Sequence, residues 1–562
     1  MSTELQGDVA IVAGLVGRPV TIDELTTVIG AEANDVMAAA SALESEGTIR
    51  TEGHGYIADP PPPSPRSAWL SGRFLELLES RDAPGVEIGR VLAAAGRHGE
   101  ALPHLVAAAD DGNDSALAGA LAIHDQYGGL EAEVEGRLRI KRAAGFRVLG
   151  RSDEAFEQAS LAARRLEGVA EIDALGFCAA IADDQQRPQV AEAFTGVAAA
   201  AACRLGEKAK EGSLLTLQAR ALSRIGYSDE AEAVLAKGIE ILAEHGSPTQ
   251  RRTARNNEAL ILLDRGEARR AASSFDQLLG ADDGSNTVGR AITEIYLARA
   301  LFMTGDSKRA VPMVEGAVEV CLGSGASAPI MLAHMAVAEG NIAAGRADEA
   351  LAAADAALEV VEADLPQWTN RAQFLRAQAL LLGGDRAGAV EAANAGLDAT
   401  PAGSNGWRLR TQLTAVRMMA TAGDASWPTS DAEELTDELL QARWYGVAIP
   451  LMAERAQREN DKELGIEAAA LASRLGNPVA AARAIHAGGA WGEPEAIAVA
   501  RGVQDVADSV APSWADQWKA DPAIAAALDV DTDVDVEEGL LDERIDDALT
   551  AAGLAGVDTV LS

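Results

Sequence analysis

The residues of this 562-residue chain best able to do chemistry are seven histidines, three cysteines and a run of alternating aspartates. His54, His98, His104, His124, His245, His334 and His486 form no HExxH or HxH pair, and none stands at a zinc-site spacing from a cysteine. Cys178, Cys203 and Cys321 lie far apart and form no CxxC, so they read as thiols of a reducing compartment. Asp529, Asp531, Asp533 and Asp535 alternate as in a calcium loop. The sixth position, however, is Val534 where the loop needs glycine, and the twelfth is Leu540 where it needs glutamate, so an acidic linker fits better. No GxSxG nucleophile elbow and no GxxxxGKS or GxxxxGKT phosphate loop occurs. The spacing therefore argues against an enzyme, and no catalytic residue, metal or cofactor is expected.

Composition narrows the partners. Forty-eight Lys and Arg against 86 Asp and Glu give a net charge of −38, which repels phosphate backbones and argues against nucleic acid. Apolar residues at 48% and charged residues at 24% are a globular mix, and aromatics at only 4% favour closely packed helices over a β-sandwich. The first 20 residues lack the pattern of a secretory signal, and no uncharged apolar run reaches 18 residues. The expectation is a cytoplasmic protein without a membrane span.

The elements come next. Val9, Ile11, Val12 and Leu15 supply one apolar helix face, broken by Gly17 and Pro19. Thr21 with Glu24 has capping-box spacing, and residues 31–46 predict a third helix with Val36, Ala39, Ala40 and Leu43 on one side. Ile49 and Tyr56–Ile57 flank a turn as two short strands would, so residues 1–59 read as a small winged helix. Its charge argues against DNA: residues 1–60 carry Arg18 and Arg50 against ten acids, and the third helix has no Lys or Arg. Packing on a neighbouring domain or partner protein is the expected use. Residues 60–66, with the run PPPPSP, read as a stiff linker.

From about residue 67 to 500 a repeat of about 40 residues governs the chain. A glycine followed five residues later by alanine occurs as Gly150/Ala155, Gly226/Ala231, Gly266/Ala271, Gly305/Ala310, Gly345/Ala350 and Gly384/Ala389. Gln186/Ala191 fills the one gap, and Gly476/Ala481 is a late copy. The glycine supplies the left-handed angle that ends helix A, and the alanine lets helix B approach closely. The segments GRSDEAFEQASLAARRL from Gly150 and GRADEALAAADAALEVV from Gly345 resemble the turn and second helix of tetratricopeptide repeats. The resemblance implies an all-α, right-handed superhelix of helical hairpins. The aromatic positions of helix A are largely missing, and the period is longer than the family's 34 residues.

Residues 71–112 also resemble the helical segment between a winged helix and a repeat sensor in STAND-type signalling ATPases, including large LuxR-type regulators. Without a phosphate loop, ATP hydrolysis is not carried over, and the resemblance implies a sensor or adaptor half. In tetratricopeptide arrays helix A lines the concave surface, and ligand-facing positions lie about 13, 9 and 6 residues before the turn glycine. Those offsets give Arg137, Lys141, Arg220, Asn257, Tyr296, Arg299, Arg371 and Gln378, a locally basic groove suited to a carboxylate or acidic peptide. Seven of eight tryptophans lie beyond residue 360, where they fit the sealing of degenerate repeats and caps. Residues 501–562 read as a cap with an acidic helical tail. The function expected is a protein-interaction scaffold or regulatory adaptor, with a sensor subunit of a transcriptional or split STAND system as the alternative.

Overall fold

The computed structural model describes residues 3–59, 64–281, 286–400, 407–421, 427–532, 541 and 544. Asp533, Asp535 and the helical tail expected over residues 537–562 lie almost wholly outside the described residues. The chain divides into two compact units, Met1–Ala174 and Leu175–Ser562. Among the described residues no helix is long and apolar enough to cross a membrane.

The first unit begins with α1 (Thr3–Gly14), β1 (Val20–Thr21), α2 (Ile22–Ile29), α3 (Ala33–Ser45), β2 (Arg50–Glu52) and β3 (Gly55–Ile57). The strands form one antiparallel sheet in the order β1-β3-β2; the hairpin was legible in the sequence, whereas β1 was not. Thr21 caps α2 through a complete capping box with Glu24, as the spacing predicts. Five helices follow: α4 (Pro65–Ser80), α5 (Gly85–Ala94), α6 (His98–Asp110), α7 (Asp114–Tyr127) and α8 (Ala132–Val148), with α9 (Ser152–Ala163) pairing with α8. One apolar core runs from Val9 through Phe74 and Leu105 to Leu138, so packing is continuous across the proline-rich stretch.

Arginines tie these helices together. Arg66 at the start of α4 forks onto Asp8, and Arg73 donates to the carbonyl oxygens of Thr27 and Ile29, the orphaned acceptors at the end of α2. Arg18 bridges Glu24 and Glu87. Burial opposes ionisation of Glu24, but Arg18 outweighs it and holds the carboxyl below its usual range.

Helix α10 (Gly168–Asp184) spans the boundary between the units. The second unit continues with α11 (Pro188–Leu205), α12 (Lys208–Ile225), α13 (Ser228–His245), α14 (Pro248–Arg265), α15 (Ala268–Gly280), α16 (Thr287–Thr304), α17 (Ser307–Ser324), α18 (Ser327–Ala343) and α19 (Ala347–Asp364). Then come α20 (Thr369–Leu382), α21 (Arg386–Asp398), α22 (Trp407–Thr421), α23 (Thr429–Gln441), α24 (Tyr445–Glu459), α25 (Lys462–Arg474), α26 (Pro478–Ala487), α27 (Pro494–Ala507), α28 (Ala515–Ala520) and α29 (Pro522–Leu528). This is the all-α stack of helical hairpins that the repeat implies.

Its turns follow the predicted chemistry. Gly226, Gly266, Gly305, Gly345 and Gly384 all have φ between 76° and 101°, and Gln186 takes the same left-handed region at φ 57° without being glycine. After each of these residues the next N–H reaches five residues back, as in Glu267 N–H to the Leu262 carbonyl at 2.9 Å, which satisfies a carbonyl the helix leaves free. The alanines five residues on are buried, and Ala271, Ala310, Ala350 and Ala389 have no exposed surface at all. Gly476 departs from the expected register. It follows α25, an outer helix, and opens the inner helix α26, because the tight turns of the last hairpins fall at Arg443, Asn460 and Gly476.

The stack closes on itself. Helices α22, α24 and α26 pack across the superhelix onto α12, α14 and α16. The turns after the early inner helices carry the later ones: Ser228 Oγ donates to the Ala442 carbonyl at 3.0 Å, and Trp444 Nε1 to that of Ser223 at 3.3 Å. Farther along, Lys308 N–H donates to the Ser509 carbonyl at 2.8 Å, and Trp514 stacks on Phe302 at 5.3 Å. Arg443, with a side chain 5% exposed, bridges Glu232 and Asp229, each at 2.5 Å. Two of the late tryptophans thus seal one superhelical turn onto the other.

Candidate partner-binding cavity

The inner helices of the second unit, α12 to α26 in even numbers, enclose two adjoining chambers of about 120 Å³ and about 240 Å³. They share a wall of Asp264, Arg299, Glu339, Arg371, Arg408 and Gln412. The repeat explains the gathering. Six residues before the turn glycines of α12, α14, α16, α18 and α20 stand Arg220, Leu260, Arg299, Glu339 and Gln378, and all five face the chambers.

Of the predicted residues, Arg220, Tyr296, Arg299 and Arg371 line the first chamber, and Arg299, Arg371 and Gln378 the second. Asn257 is buried in α14, where its amide donates to Thr216 Oγ1 at 3.2 Å, a bond between neighbouring inner helices. Arg137 and Lys141 belong to the first unit, where both bind Asp110, at 2.6 and 2.8 Å. The spacing did not single out Arg224, Asp264, Glu339, Arg408 or Gln412. Glu339 obeys the six-residue offset but is an acid in a groove whose expected character was basic. Arg224 and Asp264 share a position two residues before their glycines, while Arg408 and Gln412 lie in a repeat whose turn has degenerated.

The expected basic groove is an alternating network. Arg220 and Arg224 meet Asp183, the former at 3.4 Å; Arg408 meets Asp264 at 2.9 Å; Arg299 and Arg371 share Glu339, the latter at 2.6 Å. Burial opposes the charge on each carboxylate, yet the arginines prevail and hold Asp183, Asp264 and Glu339 below the ordinary range. Five arginines therefore stand against three ionised acids. Arg371 shows the surplus: burial pushes its guanidinium down, Glu339 only partly offsets this, and Arg299 and Arg408 add repulsion. Polar capacity also remains. Among the described residues, Arg220 Nε, Arg408 Nε, Asn370 Oδ1, Gln412 Oε1 and the Tyr445 hydroxyl are buried without a hydrogen-bond partner. Burial pushes the Tyr445 phenol up to about 12, so it stays protonated and able to donate.

The histidines take local roles. His98 stacks on Tyr127 at 4.0 Å, and His486 accepts from Trp491 Nε1 at 3.2 Å. Cys178 and Cys321 are buried and Cys203 is exposed, and the three form no disulfide. Among the described residues no group of three His, Cys, Asp or Glu is placed to hold a metal.

No family model matches the sequence, and no curated protein is significantly similar to it. Among solved structures the chain is similar to a Rap protein complexed with competence and sporulation factor, at 11% identity and TM-score 0.42 over 74% of this chain and all of that one. It is also similar to a STAND protein with a tetratricopeptide repeat sensor from Pyrococcus horikoshii, at 14% identity and TM-score 0.30 over 75% of this chain and 66% of that one. Yeast Tom70 aligns at 12% identity and TM-score 0.28 over 82% of this chain and 91% of that one.

Proposed function

We propose that the chain is a non-enzymatic interaction scaffold or regulatory adaptor whose second unit recognises a protein or acidic peptide through the arginine-lined inner helices. The observation that carries this reading is the convergence of Arg220, Arg224, Arg299, Arg371 and Arg408 on one wall system, where Asp183, Asp264 and Glu339 pair with them among the described residues. Guanidinium groups give carboxylates paired, directional hydrogen bonds, and a water-poor setting strengthens them.

Residues 3–59 support a second, structural part of the proposal. Helix order and the β1-β3-β2 sheet fit a winged helix, and the core it shares with α4 to α8 fits a packing role over a DNA-reading one. Its third helix presents Asp35 and Glu44 to solvent and no cation.

The test is affinity capture with the full chain as bait, repeated with Arg220→Gln and Arg299→Gln together. A stoichiometric protein lost on substitution supports the reading; an unchanged yield removes these helices from it.

A further inference from the structure

The two chambers differ in what they offer beyond the shared wall. Away from it, the larger chamber is mostly apolar, with Phe302, Ile342, Phe374, Val447, Ile449 and Val479 as its sides and Gln378, Asn477 and Arg483 as its polar lining. It lies between inner helices of the first superhelical turn and helices α24 and α26 of the second, so both turns contribute to its walls. A dry apolar cavity of ~150 Å³ already accommodates a benzene ring. At about 240 Å³ this one has room for a ring and a short chain.

At its edge stand Arg371 and Arg408 with surplus positive charge. Beside them, among the described residues, are buried polar atoms without a partner: the donors Arg408 Nε and the Tyr445 hydroxyl, and the acceptor Gln412 Oε1. An unmet buried polar atom costs about 1–3 kcal/mol, so Arg408 Nε and the Tyr445 hydroxyl mark a place for an acceptor group such as a carboxylate, while Gln412 Oε1 would take a donor. Inorganic anions leave the apolar sides unused. A peptide backbone would bring amides that those sides cannot satisfy.

We propose that this cavity binds a small organic acid, with its carboxylate on the Arg371–Arg408 wall and its apolar body in the larger chamber, within reach of the Tyr445 hydroxyl. The acid is a ligand of the second unit in its own right and goes beyond the partner reading. Since it would touch helices of both superhelical turns, it would bind only the closed stack and stabilise it by mass action.

The experiment is calorimetric titration of the full chain with 4-phenylbutyrate and, in parallel, octanoate, against uncharged 4-phenylbutanamide and inorganic phosphate. The expected result is one-to-one binding of at least one acid, a tenfold or greater loss for the amide, and no displacement by millimolar phosphate. Arg371→Gln should weaken the acid at least tenfold. If that variant fails to fold, Ala480→Phe, which fills the apolar chamber from α26, should abolish binding with an unchanged circular dichroism spectrum. Equal affinity for the amide, displacement by phosphate, full binding by Ala480→Phe, or no binding of either acid would each overturn the proposal. Should both acids fail while Arg220→Gln/Arg299→Gln still loses a captured protein, the organic acid falls and the partner reading stands.

Discussion

Arginine does different work in the two units. In the first it reaches across helix junctions to one or two acids or to a pair of terminal carbonyls, as Arg66 does to Asp8, Arg18 to Glu24 and Glu87, and Arg73 to Thr27 and Ile29, over an apolar core. In the second, five arginines turn inward to a cavity, outnumber their acids, and leave buried polar atoms unmet. Offsets from the turn glycine select cations in both, yet Arg137 and Lys141 share the exposed Asp110 while Arg220 and Arg299 sit on a cavity wall. Residue type and spacing define a candidate; closure of the stack turns the candidate into a site.

The largest expected effect comes from the bridge between superhelical turns. Arg443→Ala leaves Glu232 with Arg265 alone and removes two charge-assisted hydrogen bonds of a buried guanidinium, which should cost ~2–3 kcal/mol, whereas Arg137→Ala at an exposed pair should cost less than ~1 kcal/mol. Tryptophan fluorescence during urea unfolding reads this well, since Trp69 is the one tryptophan outside the second unit. Equal losses for the two variants would erase the distinction.

Glycines sharpen the contrast further. A β-carbon on Gly340 would come within 2.4 Å of the Phe302 ring at the cavity's edge, so Gly340→Ala should destabilise by ~1–3 kcal/mol. In α4, Gly72 has open space, and Gly72→Ala should stabilise by ~0.5–1 kcal/mol, both read as shifts in Tm.

Acid should affect the second unit through Asp183, Asp264 and Glu339, whose folded pKa values are depressed. Their stabilisation is present above the unfolded values, near 4, and is lost as the pH falls below them, so the tryptophan-reported midpoint should drop steeply there. Glu267 works in reverse. Burial outweighs Arg270 and Arg265 and raises its pKa, so its charge weakens the fold at neutral pH. Glu267→Gln should give a Tm at or above wild type at pH 8, and the difference should shrink as the pH falls toward the unfolded value of ~4. A Tm clearly below wild type at pH 8 would reverse the sign assigned to that burial.

Much of the fold was legible because it is local. The capping box at Thr21 and Glu24, the glycine turns and the buried alanines all depend on residues within one hairpin, and a forty-residue period repeats them. What the sequence hid depends on distant partners. β1 forms only because β3 pairs with it, and Gly476 lies in the opposite register because the late hairpins turn tightly at Arg443 and Asn460. The site was half legible for the same reason: Arg220 and Arg299 follow the repeat, but Arg408, Gln412 and Tyr445 join them only when the second superhelical turn folds over the first.

The most direct test sets the predicted cations of the two units against each other. Partner captured by the wild-type chain is quantified beside that captured by Arg220→Gln/Arg299→Gln and by Arg137→Gln/Lys141→Gln, all three baits matched in helicity by circular dichroism. The account predicts loss of the partner with the first pair and wild-type recovery with the second. Loss confined to the Arg137/Lys141 pair, or equal recovery by all three baits, would contradict it.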